Sequence, residues 1–449
     1  MSTSRLAHFS AGRVILFALF CTIFIGALLL ALPISRHTPM SFIDLLFTAT
    51  SVTCVTGIFT VPIEQFTFFG HCIILGLMQI GGLGIITLTL FLLSLFVNLG
   101  LATSLMANKL LELESWKNIR HLLGFIIIAT VTFELIGTLC FFSVFIKDFS
   151  FGRAAFLSFF HAVSCFCSAG ITLFGNSFQA YAHNYMAIFT ATGLMLAGGI
   201  GFLTLYEFYE YFRNLRDTKV HHFSLQTKIV LYGSLFSILI TALLVYFLEH
   251  SHAFAQLNTA DSFIMSFFQA ISFRSTGLLI VPIASLQLAT LFLIMTISFI
   301  GSAPGSTGSG IRTTTIAIYI AVVRAAIEGH TSINIGHRRI AKDQVNKAIA
   351  ILSLSIFWLV ITIFSLLVME PQWKFIDMIF EAFCAFTNIG LSTGITPYLS
   401  VFGKSLIMIT MVIGRIGSLT LILALRKIAL RKESAPTEIV YPEERIMLN

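Results

Sequence analysis

Four glycines, Gly57, Gly170, Gly277 and Gly390, stand 113, 107 and 113 residues apart. Each closes a short stretch: Cys54-Val55-Thr56-Gly57, Cys167-Ser168-Ala169-Gly170, Arg274-Ser275-Thr276-Gly277 and Thr387-Asn388-Ile389-Gly390. The stretches share the glycine and little else, which points to the backbone as their common working group. Glycine lets carbonyl-bearing backbone adopt conformations that other residues resist, and a ring of carbonyls can replace the hydration shell of an alkali cation. The chemistry expected of these residues is coordination of a monovalent cation rather than bond making. No paired His, Glu or Ser cluster occurs at helical spacing, which argues against a membrane hydrolase. Close helix packing is the plainer use of a membrane glycine. Recurrence at a period of about 110 residues, each time between a short helix and a full span, favours a pore.

Such loops need elements to hold them. Of the 449 residues, 57% are hydrophobic and 10% charged, and mean hydropathy is +0.93, a balance that belongs in lipid. Apolar runs long enough to cross a bilayer occupy 14–32, 72–97, 122–145, 185–212, 229–248, 286–327 with an interruption, 348–368 and 405–425. The first run is long for a signal peptide and Pro33-Ile34-Ser35-Arg36 is no cleavage site, so it reads as a retained span. Shorter apolar segments lie between successive pairs at 41–53, 153–166, 261–273 and 375–386. They align as Phe47-Thr48-Ala49, Phe160-His161-Ala162, Phe268-Gln269-Ala270 and Phe380-Glu381-Ala382. The predicted fold is an all-α integral membrane protein of four span, pore-helix, span units around one central pore. It has eight transmembrane helices and four re-entrant loops, with units at 1–100, 101–216, 217–340 and 341–432 and a tail at 433–449. Re-entrant backbone must be buried in protein or line an aqueous path, and short helices aiming their C-termini at a shared axis favour positive charge there.

The formal charge of +7 reports topology rather than nucleic acid. Only Arg36, Lys147, Arg153, Lys374 and Lys404 fall on the side from which the short helices enter. Most other Lys and Arg, including Lys109, Lys117, Arg120, Arg213, Arg216, Lys219, Arg338, Arg339, Lys342, Arg426, Lys427, Arg431 and Lys432, lie in inter-unit loops and near the C-terminus. The positive-inside rule puts both termini in the cytoplasm of a multi-pass cell-membrane protein. The seven cysteines lack zinc or secreted-disulfide spacing and are expected to pack. Asp44 and Asp377, each thirteen residues before a filter glycine, suit the first turn of a short helix and are also placed to attract cations.

A second marker follows: Gly81-Gly82-Leu83-Gly84, Gly198-Gly199-Ile200-Gly201 and Gly414-Arg415-Ile416-Gly417, read as close packing sites. In the third unit its place is taken by Gly301-Ser302-Ala303-Pro304-Gly305-Ser306-Thr307-Gly308-Ser309-Gly310, which cannot persist as regular helix. This segment is expected to be a gate under the filter, against the alternative of a static break. Arg415 replaces the glycine of the other units, and an intramembrane arginine is functional by default. It is expected near the pore, repelling cations or bonding gate-loop carbonyls, with a plain salt bridge as alternative. Arg274 should point away from the ion and brace its loop, and Arg312 should do the same. His161 and Glu134 are readable as proton relays or as hydrogen-bonded core residues. The stretches 213–222 and 328–347 are readable as docking sites for a regulator or as solvated charge.

These stretches, above all Phe47 to Gly57, Met78-Gln79-Ile80-Gly81-Gly82-Leu83-Gly84 and Gly301 to Thr315, resemble the Trk/Ktr/HKT superfamily of cation transporters, most closely the Ktr-type membrane subunit. The likeness covers nearly the whole chain. It implies potassium as the transported ion at the four filter loops, a homodimer in membrane lipid, a cytosolic nucleotide-binding regulatory ring of the RCK type, and sodium as a coupling or activating ion. It implies neither a covalent cofactor nor nucleic acid. Plant relatives that prefer sodium often carry serine at the first filter position, where this chain has Gly57. Ser168, where asparagine is expected, and Thr387-Asn388 depart from the pattern. A sodium-conducting or proton-coupled Trk-type transporter is the rival reading.

Overall fold

The structure, a computed structural model, describes residues 11–84, 119–213, 223–330 and 332–417. The second halves of the expected spans 72–97 and 405–425, the basic residues at 109, 117, 216, 219 and 426–432, most of the 213–222 stretch and the 433–449 tail lie outside the described residues.

The described chain is helical apart from one hairpin, β1 (Asn334–Ile335) and β2 (Arg338–Arg339). The helices are α1 (Ala11–Ala31), α2 (Phe42–Thr53), α3 (Phe68–Leu83), α4 (Ile119–Phe145), α5 (Phe151–Phe166), α6 (Tyr185–Ile200) and α7 (Phe202–Arg213). They continue as α8 (Leu225–Glu249), α9 (Thr259–Ser275), α10 (Leu288–Phe299), α11 (Thr313–Glu328), α12 (Lys342–Met369), α13 (Phe375–Thr387) and α14 (Val401–Ile416). The expected short segments become α2, α5, α9 and α13.

One packing pattern recurs. In α1–α2–α3, α4–α5–α6, α8–α9–α10 and α12–α13–α14 each pair of helices is in contact. Between these triplets, α3 packs on α5, α6 on α9, α10 on α13 and α14 on α2, so the chain of contacts closes on itself. The aligned phenylalanines explain how the short helices seat themselves: Phe47, Phe160, Phe268 and Phe380 are all fully buried. A buried Phe side chain contributes about 1.5–3 kcal/mol. The long helices turn apolar side chains outward, such as Ile128 on α4, Phe236 on α8 and Phe364 on α12.

Three helices, His121–Phe145, Leu225–Glu249 and Lys342–Met369, are long and apolar enough to cross a membrane among the described residues, and the bent pair α6 and α7 makes a fourth when counted as one span. The expected span over 185–212 is broken into two helices, α6 and α7, which meet at 97°. The cause is Gly201, whose φ of +94° ends α6. Gly84 and Gly417 end α3 and α14 in the same left-handed backbone, with φ of +80° and +92°. The last glycine of each second marker is therefore a helix stop. Helix starts are set by side-chain caps: Ser41 accepts from Asp44 N, Asn258 from Asp261 N and Ser400 from Gly403 N.

Candidate ion pathway: filter and gate loop

Each short helix runs into its filter stretch, and local bonds fix the turn that follows. Thr56 N donates to Ser51 O (2.7 Å), Ala169 N to Ser164 O (2.9 Å), Gly277 N to Ser272 O (2.9 Å) and Ile389 N to Cys384 O (3.2 Å). Hydroxyls tie the far side of the turn, with Gly57 N donating to Ser51 Oγ (3.1 Å), Ser164 Oγ to Ile171 O and Ser272 Oγ to Leu278 O (both 2.6 Å).

The four glycines then meet in sequence. A Cβ on Gly57 would collide with Ala169 O, one on Gly170 with Thr276 O, one on Gly277 with Ile389 O, and one on Gly390 with Thr56 O. Each filter thus abuts the next and the fourth returns to the first. All four glycines have positive φ, between +64° and +91°, so both backbone conformation and space demand glycine. Thr56, Ala169, Thr276 and Ile389 are fully buried, and their carbonyls accept no hydrogen bond among the described residues. Buried carbonyls are ordinarily paired; a quartet left unpaired at one place is suited to a cation.

The loops are not identical. Val55, Ser168 and Asn388 take left-handed backbone, with φ of +58°, +58° and +52°, whereas α9 continues through Arg274 and Ser275 to a Thr276 cap at φ −119°. The expectation that Arg274 and Ser275 lie in the loop is corrected accordingly. The reason is in the spacing: nine residues separate Phe268 from Gly277, against ten from Phe47, Phe160 and Phe380 to their glycines. The third stretch lacks the left-handed residue. Asn388, which departs from the expected pattern, suits that conformation, and its Oδ1 accepts from Thr56 Oγ1 at 2.7 Å while its Nδ2 donates to Met411 O at 3.2 Å.

Arg274 turns away from the glycines. Its guanidinium donates to Ser234 Oγ (2.8 Å), Gly301 O (3.4 Å) and Thr313 Oγ1 (3.4 Å), bracing the start of the gate loop. Arg312 donates to Gly308 O (2.6 Å) and Ala303 O (3.4 Å). Of the loop itself, Gly301, Ser302, Ala303, Ser306, Thr307, Gly308 and Ser309 are buried, whereas Gly305 is exposed. Thr307 Oγ1 lies 3.0 Å from Ser168 Oγ and donates to Phe166 O at 3.0 Å, so the loop touches the second filter stretch. A Cβ on Gly308 would come within 3.1 Å of Ser275 Cβ, at the end of α9. Ala303 N and Thr307 N donate to Gly199 O (3.3 Å) and Gly198 O (3.2 Å), and Phe202 N donates to Gly305 O (2.9 Å). The bend at Gly201 is the seat of this loop, since a Cβ there would lie 2.7 Å from Pro304 O.

Arg415, at the end of α14, also reaches the loop. Its Nη1 donates to Thr307 O (2.5 Å) and Ser309 Oγ (3.0 Å), and its Nη2 donates to Gly81 O. The arrangement corresponds to the carbonyl-bonding reading of Arg415, which forms no salt bridge among the described residues. The leading glycines of the second markers have the expected packing use: a Cβ on Gly81, Gly198 or Gly414 would strike Thr53 O, Phe166 O or Phe386 O at a short-helix end. Gly82 leaves room for the Cys167 thiol. All seven cysteines are free thiols.

His161 has both ring nitrogens engaged by backbone. Nδ1 meets Leu157 O at 2.7 Å, and Nε2 accepts from Leu173 N at 3.3 Å, an arrangement of a neutral core residue rather than a relay. Glu134 accepts from Gln79 Nε2 at 2.9 Å. Asp44, in the first turn of α2, accepts from Ser41 Oγ at 2.5 Å and pairs with Lys404 Nζ at 2.8 Å, joining the first and fourth triplets. Asp377 sits in the first turn of α13. The Asp44–Lys404, Thr56–Asn388 and Ser168–Thr307 pairs were not foreseen from sequence. Each joins residues more than a hundred positions apart, where local spacing carries no signal.

Residues 22–434 match the family of TrkH cation transport proteins. The chain belongs to that family. Among TrkH-family relatives, it is 34% identical to the Ktr system potassium uptake protein B of Bacillus subtilis (strain 168), covering 98% of this chain and 97% of the relative. It is 31% identical to the protein of the same name from Vibrio alginolyticus, over 97% of this chain and 94% of that one. It is 32% identical to the potassium/sodium uptake protein NtpJ of Enterococcus hirae, over 96% and 95% of the two chains. The fold is similar to the crystal structure of the potassium transporter TrkH from Vibrio parahaemolyticus, at a TM-score of 0.70 and 17% identity, covering 92% of this chain and 83% of that one. The resemblance read from the sequence is met, and the chain is a cation transporter of the TrkH family, not an enzyme.

Proposed function

We propose that this transporter carries potassium into the cell through one pore per chain, lined by four span, pore-helix, span units with eight membrane crossings. The carrying observation is the closed circuit of glycines and unpaired, buried carbonyls formed by Gly57–Ala169, Gly170–Thr276, Gly277–Ile389 and Gly390–Thr56. Four carbonyl oxygens around one axis replace water around a dehydrated alkali ion, and the C-terminal ends of α2, α5, α9 and α13 add favourable negative potential. The circuit of helix contacts supports four units around that axis. The names of the Bacillus and Vibrio relatives, both potassium uptake proteins of Ktr systems, support potassium.

The gate loop 301–310 closes the pathway below the filter, held by Arg415, Arg312 and the bend at Gly201. Opening requires these bonds to be exchanged, which a homodimer seated on a cytosolic, nucleotide-binding ring of the RCK type would drive. Both termini and the inter-unit loops face the cytoplasm of the cell membrane, as the distribution of Lys and Arg supports. Sodium stimulates uptake as a coupling or activating ion. A second reading, sodium as a carried ion, is favoured by the potassium/sodium name of the Enterococcus relative.

The test is potassium uptake in cells lacking their own uptake systems, with and without sodium and a co-expressed regulatory subunit. Growth rescue at limiting potassium, stimulated by sodium, is expected. Well-expressed protein that restores no growth beside a matched partner, yet carries sodium, would replace potassium by sodium.

A further inference from the structure

The segment between α11 and α12 is short and basic. β1 and β2 pair antiparallel, Asn334 with Arg339 and Ile335 with Arg338, across a turn in which Gly336 has φ of +59°. His337, Arg338, Arg339 and the first residue of α12, Lys342, are all exposed. The acids nearby are already engaged: Glu328 pairs with Arg324 (2.7 Å) and lies 3.4 Å from His330, and Asp343 lies 3.7 Å from Lys347. Arg338, Arg339 and Lys342 form no ion pair among the described residues.

Apolar side chains flank this cluster on both helices. Ile320, Val323 and Ile327 are exposed on the last turns of α11, Ile327 by 81%, and Ile349 and Ile356 are exposed on α12. Lys342 precedes Ile349 by two helical turns, about 10 Å at 1.5 Å per residue. That distance places Lys342 at the depth of lipid headgroups when the isoleucines meet the acyl chains, since the polar layers add about 5–7 Å on each side of the hydrocarbon, and Arg338 and Arg339 precede it by three to four residues. Three exposed cations beside that depth match the negative surface potential of anionic lipid.

We propose that the hairpin and the start of α12 bind anionic phospholipid through Arg338, Arg339 and Lys342, and that this binding biases the gate loop. The mechanical link is α11. Its far end contacts β1, and its near end begins at the gate: Thr313 N donates to Ser302 O (3.2 Å) and Thr313 Oγ1 accepts from Arg274. Headgroups that fix the hairpin also fix the helix on which the loop ends. The effect on flux rests on the gate assigned above, whereas lipid binding does not, and the two are measured separately.

The binding measurement is native mass spectrometry of the purified full-length chain in detergent titrated with phosphatidylglycerol or phosphatidylcholine, with inorganic phosphate as a separate arm. The wild type should retain phosphatidylglycerol at least tenfold better than phosphatidylcholine, and the R338Q/R339Q/K342Q variant should lose most of that preference. Phosphate should not compete at millimolar concentration, as it lacks the acyl chains that sit against the isoleucines. The flux measurement is ion efflux from vesicles of phosphatidylcholine with and without 30% phosphatidylglycerol; a lipid-dependent change should be present in wild type and absent in the triple variant. An unchanged lipid preference in a folded triple variant overturns the proposal. So does a triple variant that keeps its lipid preference but no longer binds a cytosolic regulatory ring, a result that assigns the hairpin to a protein partner. Lipid binding lost without any change in flux overturns the link through α11 alone.

Discussion

Replacing Gly277 with serine tests both demands that the structure places on a filter glycine. Gly277 has φ of +76°, and left-handed backbone costs a residue with a Cβ about 1–2 kcal/mol. The second demand is space. The new Cβ would overlap Ile389 O and lie 2.8 Å from Ile389 C, against ordinary contacts that begin at 3.4 Å. The carbon contact alone asks backbone of the fourth filter stretch to retreat by at least about 0.6 Å, and the overlapping oxygen asks for more, beyond the roughly 0.5 Å within which a binding constellation holds its geometry. That retreat displaces Ile389 O, one of the four carbonyls proposed to hold the ion, so the preference for potassium over sodium should fall at least tenfold, about 1.4 kcal/mol. The assay is competition of sodium with potassium uptake in deficient cells, at matched membrane expression. Gly152→Ala is the internal control: nothing lies within 4 Å of its Cβ position and its φ is not positive, so uptake should be unchanged. A Gly277→Ser protein with wild-type selectivity would refute the backbone-filter reasoning.

Three further outcomes are expected. Arg415→Gln weakens or removes charge-assisted bonds to Thr307 O, Ser309 Oγ and Gly81 O, each ordinarily contributing about 1.5–3 kcal/mol; basal efflux in proteoliposomes should rise about tenfold or more, and unchanged efflux would remove Arg415 from the gate. Gly201→Ala must fit a Cβ at φ +94° and 2.7 Å from Pro304 O, so the melting temperature should fall together with control of basal flux; loss of neither would contradict the bend as a seat. Lys404→Gln leaves Asp44, 16% exposed, without its cation, a loss of about 1–2 kcal/mol between the surface and buried limits; the exchange D44K/K404D should recover part of the thermal stability that either single reversal loses.

Much of this arrangement was legible before any coordinates, because the repeat gives four chances to read each feature. The four short helices appear within a few residues of their expected positions, and their aligned phenylalanines share one buried role. The bracing roles of Arg274 and Arg312 were readable because a charge aimed at the ion would oppose its passage. The bend at Gly201 was not, since apolar composition continues through it while the φ of one glycine decides direction. The helical Arg274-Ser275 was not legible because Phe268 and Gly277 stand one residue closer than their counterparts, and spacing alone does not say which residue of the turn is lost. Asn388, flagged only as a departure, combines a left-handed turn with a bond to Thr56 that only the closed circuit creates. The ends of α3 and α14 were expected as packing sites; the leading glycines serve that use, whereas the final ones stop the helix.

A cation is proposed to rest among the carbonyls of Thr56, Ala169, Thr276 and Ile389. Thallium, an electron-dense substitute for potassium, locates such a site directly by anomalous diffraction from crystals of the transporter. A peak is expected on the axis enclosed by those four oxygens, weakened when potassium is added in excess. A peak bound only to side chains elsewhere, in a protein that transports potassium, would contradict that placement.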